Sequence, residues 1–218
     1  MPNYGCPKYW NARYNKEGKD NPFDWLENYF SLKGLLEEFL THKDMKILII
    51  GCGNADFSAD LYDDGYENIV NVDISDVVIK QMKEKNEEKR PHMQWIVMDI
   101  TDMKPFEKDS FDLVIDKSTM DALCCADDSL LKIALMLKET IRVLRTNGHY
   151  FCISYGKPES RVHHFEQAFL SWELREFLLY DSTIESEEEK QEKSHYIYVC
   201  KVNDDANDIS ELYFDKCF

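Results

Sequence analysis

Apolar positions recur along this chain in two rhythms, one of period two or continuous and one of helical spacing. Met45-Lys46-Ile47-Leu48-Ile49-Ile50 predicts a strand over 45–50, and similar runs predict strands over 69–73, 94–98, 111–116 and 149–154. Between them the helical spacing predicts helices over 55–63, 75–89 and 128–145. Leu26, Tyr29, Phe30, Leu32, Leu36, Phe39 and Leu40 predict another over 25–40. Asp76 is the expected cap of the 75–89 helix. Asp127, Asp128 or Ser129 is expected to open the long helix, and Gly148 to close it. After Tyr155 the spacing predicts a helix over 162–172, then strands near 172–179 and 196–200 separated by a charged run. Alternating strands and helices define an α/β protein with a doubly wound, mostly parallel sheet, and the late strands an antiparallel edge pair. Residues 1–24 lack clean periodicity, yet Tyr9, Trp10, Tyr14 and Phe23 make them too aromatic for a solvated tail.

The junction after the first strand carries the first chemical signal. Gly51-Cys52-Gly53 follows the strand and precedes a helix, and the next strand ends at Asp73. Glycines there let the backbone turn sharply and approach a ligand, while the carboxylate accepts hydrogen bonds from ribose hydroxyls. A dinucleotide site wants a third glycine where this chain has Asp56, and a carboxylate at a helix start repels a pyrophosphate. An uncharged or cationic nucleoside fits better, and S-adenosylmethionine is one. The bland alternative for the glycine pair is a structural turn.

Further acids stand where ligands of such sheets bind, at the carboxyl ends of strands. Asp99 closes the third strand, where its carboxylate can take an adenine amino group and Ile100 can offer a backbone amide. Asp116-Lys117 closes the fourth, above the expected meeting point of methyl donor and acceptor. Each acid alone reads equally as a turn or helix cap; in register with the glycine turn they mark a pocket.

Composition narrows the partners. The chain has 218 residues, long enough for one full α/β domain, and a formal net charge of −16, which makes nucleic acid an electrostatically poor partner and a basic protein a good one. Acidity also serves plain solubility. Part of the excess lies in Glu185–Glu192 and Asp204–Asp208, both expected to be solvated. No apolar run suggests a membrane span or a signal peptide, so an intracellular, cytoplasmic protein without a membrane partner is expected. Seven cysteines without C-x-x-C spacing are expected as reduced thiols, with Cys52, Cys124, Cys125, Cys152 and Cys200 as small core residues and no metal site.

The runs Leu48–Asn54, Asn71–Met82 and Asp116–Leu123 together resemble the seven-strand S-adenosylmethionine-dependent methyltransferases that methylate lysines of translation elongation factor 1A. Tyr9–Tyr14, Phe23–Trp25 and His163–Phe169 with Trp172 look closest to the short single-domain branch of that group, related to the endothelin-converting enzyme locus. The similarity covers roughly residues 8–202. It implies a Rossmann-like sheet of seven strands and cofactor contacts from Trp10, Tyr14, Trp25, Gly51, Asp73, Ile74, Asp99, Ile100 and Lys117, with Gly53 beside them in the glycine turn. Ser118 departs from the glycine usual in the family and alters the local turn. On this reading 1–44 is an aromatic lid and helix, 45–155 the cofactor core, 156–202 the edge strands and 203–218 an acidic tail, all in one domain.

Methyl transfer removes charge from a sulfonium, so alignment does most of the work and neither metal nor oxyanion hole is needed. The acceptor lysine, with a pKa near ~10.4 in water, must lose its proton to attack. Trp10, Tyr14 and Trp25 are the expected lid, and Asp116 and Asp121 the expected electrostatic guides of the amine. His163 and His164 could accept protons, but a surface or packing role is expected of them. The reading is thus a protein-lysine N-methyltransferase acting on elongation factor 1A or a similar basic protein. The alternatives are a small-molecule methyltransferase, a non-catalytic cofactor binder and, last, a dinucleotide oxidoreductase.

Overall fold

The computed structural model describes residues 4–18, 21–180, 186, 194–204, 206, 209–210 and 214. Seven strands form one sheet in the order β3-β2-β1-β4-β5-β7-β6. They are β1 (Ile47–Ile50), β2 (Ile69–Asp73), β3 (Gln94–Val97), β4 (Phe111–Lys117), β5 (Leu144–Ser154), β6 (Trp172–Leu179) and β7 (His195–Val202). β1 is parallel to β2 and β4, and the order reverses between them, which places a crevice beyond Ile50. β7 is inserted between β5 and β6, antiparallel to both. The two late strands do pair, but β7 also completes the join to the parallel core.

Every residue of β1 and β2 is buried, as a strand covered on both faces requires. One apolar layer, including Leu48, Val114, Ile133 and Leu137, lies under α6 (Ser129–Val143) and the other, including Tyr29, Leu36, Ile47 and Leu61, under α2 (Tyr29–Leu36) and α3 (Phe57–Asp63).

Several boundaries differ from the sequence reading. The helix expected over 25–40 is shortened to α2: Asn28 caps it by accepting from Ser31 N at 3.0 Å, and Trp25–Asn28 leave the helix because Leu26 takes φ +61°. α1 (Pro7–Glu17) was not predicted; only Tyr14 is buried on it, too little for an apolar stripe, and Pro7 at its start supplies the nucleus. Ser75, not Asp76, caps α4 (Asp76–Asn86), its hydroxyl accepting from Val78 N at 3.3 Å. Asp128 stands at the N-cap of α6 without a side-chain bond. Gly148 does not end that helix but lies inside β5, where a Cβ would press on the carbonyl oxygens of Arg145 and Asp112. A short helix, α5 (Thr119–Cys124), follows β4 unforeseen, and the helix expected over 162–172 is α7 (Pro158–Phe165), begun by Pro158. His164 on α7 is buried, its pKa lowered to about 4 by burial and by His163, its ring 3.9 Å from the neighbouring imidazole.

The solvated tail is also corrected in part: Ala206 joins the core, and Phe214 packs against Phe169 with Lys138 Nζ 3.9 Å over its ring. Most of the run 185–192 lies outside the described residues. Cys125, expected in the core, is exposed, and Cys52 and Cys124 are half-buried; Cys152 and Cys200 are buried thiols. Among the described residues no helix is long and apolar enough to cross a membrane.

Candidate active site

The crevice beyond β1 and β4 opens into a cavity of about 330 Å³. Its floor comes from strand ends. Gly51 and Gly53 adopt φ +60° and +56°, conformations that only glycine enters freely. A Cβ on Gly51 would overlap Thr119, whose hydroxyl donates to the Ile50 carbonyl at 2.9 Å; one on Gly53 would sit 3.0 Å from the Tyr14 hydroxyl. Asp73 ties the first two loops together, accepting from Gly53 N at 3.0 Å and from Ser75 N at 2.9 Å. Burial pushes its carboxyl up to about 6, against those two amides. Asp99, exposed after β3, accepts the Thr101 amide and hydroxyl on Oδ1 at 2.9 and 2.7 Å, a turn that presents the acid at the rim.

The roof is aromatic. Trp10 stacks on Tyr14 with centroids 5.8 Å apart, and Trp25 stands edge-on to Trp10 at 6.5 Å. Arg13 lies 4.8 Å over the Trp25 ring and 5.3 Å over Phe23, binding helix and lid together. Polar clasps fix this roof to the sheet. The Asn11 side chain accepts from Ser75 Oγ at 2.6 Å and donates to Asp76 at 2.7 Å; Gln81 donates to the Tyr14 carbonyl at 3.2 Å. Farther along, Asn54 donates to the Asn21 carbonyl at 2.9 Å, and Glu27 meets His195 Nδ1 at 2.6 Å. Lys117 Nζ donates to Asp24 Oδ1 and to the Trp25 carbonyl, both at 3.0 Å. Burial lowers the lysine's pKa and Asp24 opposes the shift.

Trp10, Tyr14, Trp25, Gly51, Gly53, Asp73, Ile74, Asp99, Ile100, Lys117 and Asp121 are thus brought around one cavity. Asp116 is not. Its side chain is fully buried beneath the floor, accepting from Thr119 N at 2.8 Å, Met120 N at 3.2 Å and Tyr150 Oη at 2.7 Å, and burial raises its pKa to about 7. It organises the start of α5 and does not line the cavity. Asp121 lines the cavity, but its oxygens already take Ser154 Oγ at 2.5 Å, Tyr155 N and Arg161 at 2.9 Å each. It holds the Tyr155 loop at the mouth. Asp56 faces Lys85 at 2.5 Å and does not line the cavity, so the repulsion expected of it is largely neutralised. Sequence reasoning missed Leu26, Met98, Thr119, Cys125 and Tyr155; only Tyr155, an aromatic directly after a strand of this sheet, carried a readable signal.

The cavity suits a nucleoside carrying a positive charge. Bare glycine backbone admits close approach, the Asp73 and Asp99 carboxylates at the cavity can accept from hydroxyl and amino donors, and the aromatic roof can hold a cation. A family model described as a methyltransferase domain matches residues 41–209. The chain belongs to that methyltransferase family.

Relatives sharpen the likeness. This methyltransferase-family chain is 41% identical over 177 residues to a Homo sapiens protein named eEF1A lysine and N-terminal methyltransferase, covering 79% of itself but 25% of that protein. It therefore spans about a quarter of such relatives. It is 30% identical over 180 residues to EEF1A lysine methyltransferase 4 of Mus musculus, covering 79% of itself and 69% of that protein. A TehB-like SAM-dependent methyltransferase from Corynebacterium glutamicum shares the fold, with a TM-score of 0.59 at 18% identity over 90% of this chain and 98% of that one.

Proposed function

We propose that this chain is an S-adenosylmethionine-dependent protein-lysine N-methyltransferase whose acceptor is translation elongation factor 1A, working in the cytoplasm. The observation that carries the reading is the cavity itself: unsubstituted glycine backbone on one side, carboxylates at the ends of β2 and β3 on another, and an aromatic roof above. The names of the relatives support the acceptor, and the mouse relative whose name gives lysine methylation alone, and of which this chain covers 69%, favours lysine over an N-terminal amine.

Asp73 would take the ribose hydroxyls on its carboxylate, Asp99 and the Ile100 amide the adenine edge, and the faces of Trp10 and Trp25 the cationic end. Bound there, S-adenosylmethionine supplies an electrophilic methyl group, and S-adenosylhomocysteine is the product. The chain's own contribution is alignment and dryness. The roof excludes water, so a lysine entering past Tyr155 favours its neutral form by desolvation, having left its proton in the solvent. Asp121 keeps the Tyr155 backbone in place, and Asp116 keeps the α5 turn under it; both act as positioning residues.

The test is incubation of the chain with labelled S-adenosylmethionine and purified elongation factor 1A, followed by mapping of the labelled residue. Labelled lysine, lost in Asp73→Ala, is the expected result. No transfer to that protein would overturn the acceptor, and a labelled N-terminal amine would replace lysine by the other activity in the relatives' names.

A further inference from the structure

The apolar stripe of α6 runs on past the core. Ile133, Ala134, Leu137 and Ile141 are buried at helical spacing, and the same spacing taken back one turn falls on Leu130. Leu130 is nevertheless 63% exposed, and Leu131 beside it 44%. The reason is position. α6 begins at the cavity end of the sheet, just after Cys125 on the cavity wall, and runs back to Val143, which feeds β5. Its first turn therefore overhangs the cavity end of the sheet, with both leucines exposed.

Other exposed large apolar side chains share that end. Phe23 is on the lid, Val97 ends β3, Tyr155 follows β5, and Leu178 lies near the end of β6, whose direction matches β5. Scattered surface apolars need no explanation, and Val97 and Leu178 stand on the opposite edge strands, but Phe23 and Tyr155 line the cavity itself. Asp127 and Asp128 are exposed one residue, Ser129, ahead of the two leucines.

We infer that the α6 overhang, Asp127–Asp128 with Leu130–Leu131, is a docking surface for the folded acceptor protein, seating an apolar patch of the partner that is ringed by lysine or arginine. Charge selects this occupant: the overhang's own acids and the net charge of −16 steer a basic surface to the mouth and repel an acidic one. The inference rests on the proposed protein-acceptor reading and adds where that acceptor is held. None of the four residues lines the cavity, so the surface acts on capture of the protein and leaves the cofactor site alone.

The experiment compares wild type, Leu130→Ser/Leu131→Ser and Asp127→Lys/Asp128→Lys with elongation factor 1A as acceptor and S-adenosylhomocysteine as the binding probe. Both double variants should raise KM for the protein roughly tenfold. kcat at saturation and the Kd for S-adenosylhomocysteine should stay at wild-type values, while the lysine variant, which sets cations at the N-terminus of α6, should melt about 1–4 °C lower. An active wild type whose variants keep its KM overturns the docking surface and leaves the proposed function standing. Wild type that methylates no lysine of this protein removes both. Sedimentation that shows a dimer of wild type, lost in the leucine variant, overturns the inference in favour of a second copy of this chain.

Discussion

Lys117, the last residue of β4, holds the carbonyl of Trp25 at 3.0 Å, so the strand that ends beneath the cavity also fastens the lid above it. The same ammonium takes Asp24 at 3.0 Å, and the lysine side chain is only 9% exposed. Between these anchors and the Glu27–His195 pair, Leu26 is forced to φ +61°, a conformation a branched side chain avoids. The lid is therefore held by tertiary bonds against its own local preference.

Lys117→Met keeps the length of the stem and removes both bonds. The expected result is a Kd for S-adenosylhomocysteine weakened roughly tenfold, about 1.4 kcal/mol, with a more mobile lid. Calorimetric titration measures the first, and quenching of tryptophan emission by acrylamide reports Trp25 opening. An unchanged Kd would mean that the clasp is ornamental.

The two glycines of the turn fail differently when substituted. Gly51→Ala adds left-handed strain and overlaps Thr119, so it should destabilise the fold by about 2–4 kcal/mol. Gly53→Ala meets only the tip of Tyr14 at 3.0 Å, whose ring belongs to the roof. It should cost about 1–2 kcal/mol in stability from the left-handed strain while removing most cofactor affinity. Urea unfolding beside calorimetric titration separates the two; equal losses of stability would contradict the stated packing.

What could be read from the chain and what could not divides along the reach of the bonds. Gly51, Gly53 and Asp73 were legible because a strand, a glycine turn and a second strand lie close in sequence and each imposes its own backbone. Asp116 was misplaced because strand register alone does not tell which side of the floor a carboxylate faces; Tyr150, on the neighbouring β5, draws it downward. The lid was recognised as aromatic, yet its path depends on Lys117 and His195, far along the chain. β7's place between β5 and β6 depends likewise on pairings between distant segments. Ala206 and Phe214 sit among acids whose composition suggested solvent, and two apolar contacts outweighed that signal.

Ser118 stands where the family usually has glycine, and it takes φ +66° at the N-cap of α5. Ser118→Gly removes about 1–2 kcal/mol of left-handed strain and returns roughly 0.5–1 kcal/mol in unfolded-state entropy. It also loses a 3.3 Å bond from its hydroxyl to Asp121, which keeps its shorter partners. The melting temperature should rise by about 1–4 °C with cofactor affinity unchanged, as differential scanning calorimetry would show. A fall would mean that the Asp121 bond outweighs the strain.

Asp73 links stability to ligand binding through pH. Folding raises its carboxyl from an ordinary value near 3.8 to about 6, because burial outweighs the Gly53 and Ser75 amides. Between those values the folded chain binds more protons than the unfolded one, so stability falls as pH rises through the window and the loss is complete above about 6. That loss is on the order of 3 kcal/mol. Asp116, raised to about 7 by its own burial, adds a similar slope, so the informative quantity is the difference between wild type and Asp73→Asn. The variant loses one acceptor, a constant offset, but its advantage over wild type should grow from pH 4 to 6 and then level. Ribose hydroxyls donate to the charged form, so S-adenosylhomocysteine should bind wild type more tightly as pH rises through 6, with proton release below it. Binding to the variant should be weak and flat over the same range. Melting curves and calorimetric titration across pH 4.5–8 test both limbs, and a pH-independent difference between the two proteins would show that Asp73 is already ionised at the low end.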